Sequence, residues 1–162
     1  MANLKEIRNR IASVSSTMQI TSAMKMVSAA KLKKAQDAIT AMRPYADKLT
    51  ELLQGLSATL DADSGSKFSK QREVKNVLIV PITSNRGLCG AFNSNIIKQT
   101  QQLISNDYAG KKVSIFAIGK KGNDAFAKKK IVVSNESSIF DDLTFENVAD
   151  IAQVLMHKFL SG

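Results

Sequence analysis

Histidine occurs once, at His157, cysteine once, at Cys89, and tryptophan not at all. Each scarcity excludes a kind of chemistry. One cysteine cannot close an internal disulfide, which fits a reducing compartment. One histidine and one cysteine far apart in sequence leave no ligand set for a structural zinc ion, and Cys89 lacks the histidine that commonly activates a thiol nucleophile. No apolar run approaches the roughly 18 residues that a membrane span requires. The opening residues, Met1-Ala2-Asn3-Leu4-Lys5-Glu6, carry no apolar signal core, so the chain is expected to stay where it is made. Asp141 and Asp142 form an acidic pair that reads as a turn or helix-capping feature, and His157 reads as a surface or packed helix residue. No catalytic residues, metal ligands or cofactor-binding residues are assigned.

What is present is a globular composition, 44% hydrophobic and 23% charged, with a net charge of +9. The charge is uneven. Over residues 1–43, eight basic residues, Lys5, Arg8, Arg10, Lys25, Lys31, Lys33, Lys34 and Arg43, face two acidic ones, Glu6 and Asp37, a net of +6. Such an excess predicts an acidic partner: nucleic acid, anionic lipid or an acidic protein surface.

The first sixty residues repeat every seven. One series runs from Leu4 through Ile11, Met18, Lys25, Leu32, Ile39, Ala46 and Leu53 to Leu60. Its companion, three residues on, runs through Ile7, Val14, Thr21, Ser28, Ala35, Met42, Leu49 and Leu56. These are the a and d positions of a left-handed coiled coil. The spacing predicts one helix over 1–60, with Pro44 bending or loosening it and Gly55 as a second weak point. The predicted seam is Leu4, Ile7, Ile11, Val14, Leu32, Ile39, Met42, Leu49, Leu53 and Leu56, and it turns polar at Thr21, Lys25 and Ser28. A helix cannot bury its own stripe. Its partner is another chain, a second copy, or a part of the protein outside this sequence. Residues 61–73 are polar and without apolar period, and read as a linker.

From 74 to 162 the pattern is that of a small α/β domain. The run 77-VLIVPIT-83 reads as a buried parallel strand, although Pro81 argues against its last residues. A turn over 84–95 leads to a helix over 96–105. A second strand follows at 112–119, a short helix at 120–129, a third strand at 131–134, a loop at 135–142 and an amphipathic helix at 145–160. This alternation implies parallel strands joined by crossover helices, a Rossmann-like sheet. The turn after the first strand contains Gly87 and Gly90 but has neither GxxxxGK[ST] nor GxGxxG, so it is read as a structural turn in which both glycines take special backbone angles, without nucleotide.

Two long motifs carry a family resemblance. The segment 3-NLKEIRNRIASVSSTMQITSAMKMVSAAKLKKAQ-36, with RPY at 43–45, resembles the N-terminal helix of the gamma subunit of F-type ATP synthases. The stretch 79-IVPITSNRGLCGAFNSNI-96 is similar to that family's strand and S-D-R-G-L-C-G-x-x-N turn, with Asn85 in place of the usual Asp, and 156-MHKFLSG-162 resembles a helix end of the same family. The resemblance implies the central-stalk rotor of a proton-translocating enzyme. It is a non-catalytic part without a cofactor, whose partners are the alpha and beta subunits, the epsilon subunit and the membrane c-ring. It implies a peripheral place on the cytoplasmic face of the bacterial plasma membrane, and contacts to beta by Met24, Lys25, Lys31, Lys33 and Arg86. Family members continue into a C-terminal helix wound against the first. The unpaired seam is therefore expected to reflect a truncated subunit.

Two other readings compete. A basic coiled-coil protein that binds nucleic acid or docks on a partner would explain the +6 helix. As a nucleic-acid binder it would call for aromatic or Arg-rich base contacts, and 1–43 holds no Phe or Trp. A small α/β enzyme or receiver would need an acidic cluster at the strand ends, which Thr83, Ser84 and Gly119 do not supply. Nucleic acid is thus not expected as a partner.

Overall fold

The computed structural model describes residues 3–59, 67–68 and 72–162. Leu60 and most of the linker expected over 61–73 lie outside them. The chain separates into two compact units, residues 1–64 and 65–162.

The first unit is a single helix, α1, Leu4–Thr59. Its start is written in the sequence: Asn3 stands just before the first turn, and its Oδ1 accepts a hydrogen bond from the Lys5 amide at 3.2 Å, supplying one of the donors a helix N-terminus leaves open. At ~1.5 Å per residue the helix is roughly 84 Å long. It runs through Pro44 and Gly55 without interruption. Proline removes one backbone donor, but α1 is exposed at this point, so the carbonyl left unpaired one turn earlier can bond to water instead. Every residue of the predicted seam is exposed, from 42% at Leu49 to 73% at Leu4. In the polar middle, Thr21 Oγ1 donates to the Thr17 carbonyl at 2.8 Å and Thr17 Oγ1 to the Ser13 carbonyl at 2.9 Å. These hydroxyls are satisfied within the helix and need no partner for their polar atoms.

The second unit is a three-stranded parallel sheet in the order β1-β2-β3, as the alternating pattern predicts: β1, Asn76–Ile79; β2, Lys112–Ala117; β3, Val132–Asn135. The helices between and after them are α2, Phe92–Gln102, which continues as a wider π turn over Leu103–Asp107; α3, Lys120–Phe126; and α4, Phe145–Ser161. The expected first strand is cut short. Pro81 cannot donate to the ladder, so regular pairing stops at Ile79 and returns as one bridge between Ile82 and Ile118. The expected loop over 135–142 contains a 3-10 turn, Ser137–Phe140.

The core is small. Ile115 and Ala117 of β2 and Phe126 of α3 are fully buried, packed by Ile97 and Ile104 from the α2 segment, by Ile131 just before β3 and by Val132 of β3. The apolar positions of the α2 segment, Phe92, Ile96, Ile97, Leu103 and Ile104, recur at four and seven residues, which puts them on one face. Thr144 caps α4, its Oγ1 accepting from the Asn147 amide at 3.3 Å. Asp142 supports this cap, its carbonyl and carboxylate both accepting from the Asn147 side chain.

Candidate functional site

In a parallel α/β sheet, ligands usually sit at the carboxyl ends of the strands, where helix N-termini offer free amides. Here those ends are occupied by the chain itself. The first three amides of α3 are taken in reverse order by three consecutive residues after β1. The Lys120 amide donates to Asn85 Oδ1 at 2.9 Å, the Lys121 amide to the Ser84 carbonyl at 3.2 Å, and the Gly122 amide to Thr83 Oγ1 at 2.8 Å. A phosphate would have to displace all three.

Glycine makes this close approach feasible. Gly119 has φ 103°, and a Cβ there would run into the Thr83 carbonyl; a Cβ at Gly122 would lie 3.0 Å from Thr83 Oγ1. Thr83 is 1% exposed, and its hydroxyl also donates to the Gly119 carbonyl at 3.2 Å.

A second set of bonds fastens the turn that follows. The Ser84 amide donates to Asn93 Oδ1 at 3.0 Å, and Asn93 Nδ2 donates back to Ser84 Oγ at 2.8 Å and to Cys89 Sγ at 3.1 Å. Asn85 Nδ2 donates to the Ser137 carbonyl at 2.8 Å. Asn85 thus uses both ends of its amide, whereas the aspartate usual in the resembling family could only accept. The clamped turn leaves Arg86 and Leu88 projecting, Leu88 being 97% exposed. The left-handed residues are Leu88, φ 61°, and Gly90, φ 58°. Gly87 departs from expectation: Leu88, beside it, takes the positive φ. The bonding residues Thr83, Asn85 and Asn93 were not picked out from sequence. Their signal was the run of small polar side chains around the glycines.

The candidate contact residues of α1 do not share one face. Met24 and Lys31 lie seven residues apart on one stripe, Lys25 about 100° round the helix, and Lys33 about 180° from Met24. All four are exposed. Among the described residues, α1 holds one ion pair, Lys48–Glu51 at 2.7 Å, so the cations at 25–34 are unneutralised within it. His157 is exposed on α4. No group of three His, Cys, Asp or Glu among the described residues is placed to hold a metal ion, and no described helix is long and apolar enough to cross a membrane.

A family model described as ATP synthase matches residues 3–162. Among curated proteins, the chain is 73% identical over 162 residues to a protein of Flavobacterium psychrophilum named ATP synthase gamma chain. It is 72% identical over 162 residues to the protein of that name in Flavobacterium johnsoniae, and 47% identical over 167 residues to that in Cytophaga hutchinsonii. Each match covers 100% of this chain and 56–57% of the relative; the chain spans a little over half the length of these relatives.

Proposed function

Since this chain belongs to the family of ATP synthase gamma chains, we propose that it forms part of the central rotor shaft of an F-type ATP synthase. The observation that carries the reading is α1: one uninterrupted 56-residue helix with an exposed heptad seam and cations on several sides. In the assembled enzyme the seam pairs with a second helix of the same subunit, and the rest of the circumference faces a ring of alternating alpha and beta subunits.

The physical properties of α1 suit that place. Burying a Leu or Ile side chain stabilises by ~1.5–3 kcal/mol, so the ten seam residues supply ample energy to hold two helices as one stiff rod. Lys31 and Lys33, off the seam, and Lys25, in its polar middle, contribute at most about 1 kcal/mol each as exposed ion pairs. Weak contacts spread round the shaft guide it without locking it at one angle. Met24, Lys25, Lys31 and Lys33 meet acidic surfaces of beta, and Arg86 meets beta from the clamped turn. The α/β domain lies against the epsilon subunit and the c-ring, peripheral to the cytoplasmic face of the plasma membrane. Proton-driven turning of the ring is passed through this domain to the shaft, and the asymmetric shaft moves each beta subunit through its conformations. ATP chemistry resides in beta.

The test replaces Lys25, Lys31 and Lys33 by Glu together in an assembled alpha–beta–gamma complex. The expected result is normal assembly with reduced torque or coupling efficiency. Unchanged coupling in the triple variant contradicts the acidic-collar contact.

A further inference from the structure

Parallel strands bring the segments that lead into them to one end of the sheet, and here those segments are cationic. Arg72 and Lys75 precede β1, Lys111 precedes and Lys112 opens β2, and Lys128, Lys129 and Lys130 precede β3; all are exposed. The backbone ties them together. The Lys112 amide donates to the Lys75 carbonyl at 3.1 Å. Lys130, at φ 54°, closes the 3-10 turn over Ala127–Lys129 and sends the chain into β3. Asn76 Nδ2 donates to the Gly162 carbonyl at 2.9 Å, so the end of α4, with exposed Lys158, reaches the same rim.

Acids do not balance this end. Glu73 is paired with Lys75 at 3.2 Å, and Asp107 stands before β2. Among the described residues no other ion pair is found there. At the opposite end of the sheet Arg86, Lys120 and Lys121 are matched by Glu136, Asp141 and Asp142. The domain is therefore electrically polarised along its strands. Close like charges repel, and among the described residues no ion pair offsets that cost for Lys111, Lys112 or Lys128 to Lys130.

The type of cation indicates the partner. Arg72, which could fork onto one phosphate or carboxylate, is engaged with Phe159, donating to its carbonyl and lying 4.5 Å over its ring. What remains are ammonium groups on flexible stems along strand entries. Such groups suit a broad field of negative charge better than one anion held in fixed geometry. A cluster of four to eight basic residues near a bilayer is the usual signature of attraction to anionic headgroups.

We propose that the N-terminal end of the sheet docks electrostatically on an anionic phospholipid surface through Lys111, Lys112, Lys128, Lys129 and Lys130. The docking rests on the charge of this end and on the membrane-peripheral place proposed above; it can fail while the rotor reading stands.

The test is co-sedimentation of the 162-residue chain with vesicles of phosphatidylcholine, alone or enriched in phosphatidylglycerol, at low and physiological salt. Anionic vesicles should bind at least about tenfold more chain than neutral ones, with binding weakened by salt. Replacing the five lysines by Gln should lower binding at least about tenfold with an unchanged circular-dichroism spectrum. Replacing Lys25, Lys31, Lys33 and Lys34 of α1 by Gln should retain most of it. Equal binding to both vesicle types overturns the proposal, as does an equal or greater loss in the α1 variant. Failure on vesicles with retention of polyglutamate by the same five lysines would point instead to an acidic protein and also overturn it.

Discussion

Thr83 Oγ1 and the Gly122 amide are joined by a 2.8 Å hydrogen bond across 39 residues of chain, and both partners are buried. The bond links the end of the first strand region to α3 and closes the carboxyl end of the sheet with the protein's own atoms. An unpaired buried donor costs about 1–3 kcal/mol. Thr83→Val keeps the shape and removes the acceptor, so it should lower stability by about that amount. Urea unfolding should show an earlier midpoint with an unchanged slope; a midpoint equal to that of the parent would remove this bond from the account.

The glycines should rank in a definite order. Gly119→Ala combines positive φ with a steric collision and should be the most damaging, at about 3 kcal/mol or more. Gly90→Ala has open space but φ 58°, and should cost about 1–2 kcal/mol. Gly87→Ala has open space and no positive φ, and should change stability by no more than about 0.5 kcal/mol. Thermal denaturation of the three variants checks the order, and a Gly87 variant weaker than the Gly119 variant would reverse the reading of this turn.

Asn85 provides a third comparison. Asp at this position keeps the acceptor for the Lys120 amide and adds favourable charge near the start of α3, but loses the donor to the Ser137 carbonyl. Ala loses both bonds. Asn85→Asp should therefore cost about 1 kcal/mol less than Asn85→Ala, each lost bond being worth about 0.5–1.5 kcal/mol. Equal melting temperatures for the two variants would show that the Lys120 contact contributes nothing.

The strands were legible because 77-VLIV-80, 112-KVSIFA-117 and 131-IVVS-134 are short β-branched or apolar runs between turn signals. The start of α2 was not. Its first residues, 92-FNSN-95, look like a turn, since Asn and Ser often compete with helical backbone. Here the Asn93 side chain is drawn to Ser84 and Cys89, and the helix begins at Phe92 rather than at Ile96. Pro44 does not end α1, because the exposed helix accommodates one missing bond. The clamp among Thr83, Ser84, Asn85 and the α3 amides was invisible for a different reason. It depends on sheet register, which sets residues 35 to 39 positions apart side by side.

The seam offers a test of pairing. Supplying a synthetic peptide of the C-terminal residues of the Flavobacterium johnsoniae relative, the segment proposed to pair with the seam, should raise the melting temperature of α1 in this chain. Ile11→Asn together with Leu53→Asn should abolish the gain, since each change deletes ~1.5–3 kcal/mol of apolar burial. A gain that survives the double variant would place the helix contact elsewhere than on the heptad seam.

The most direct measurement of the central claim is rotation. Residues 1–162 of this chain can replace the matching segment of the Flavobacterium psychrophilum gamma chain, and the chimera be assembled with that organism's alpha and beta subunits. A bead fixed to the α/β domain then reports ATP-driven turning. The account predicts continuous rotation in one direction, at a torque that falls when Lys25, Lys31 and Lys33 are replaced by Glu. Assembly with steady ATP hydrolysis but a bead that does not turn would contradict the claim that this chain is part of the shaft.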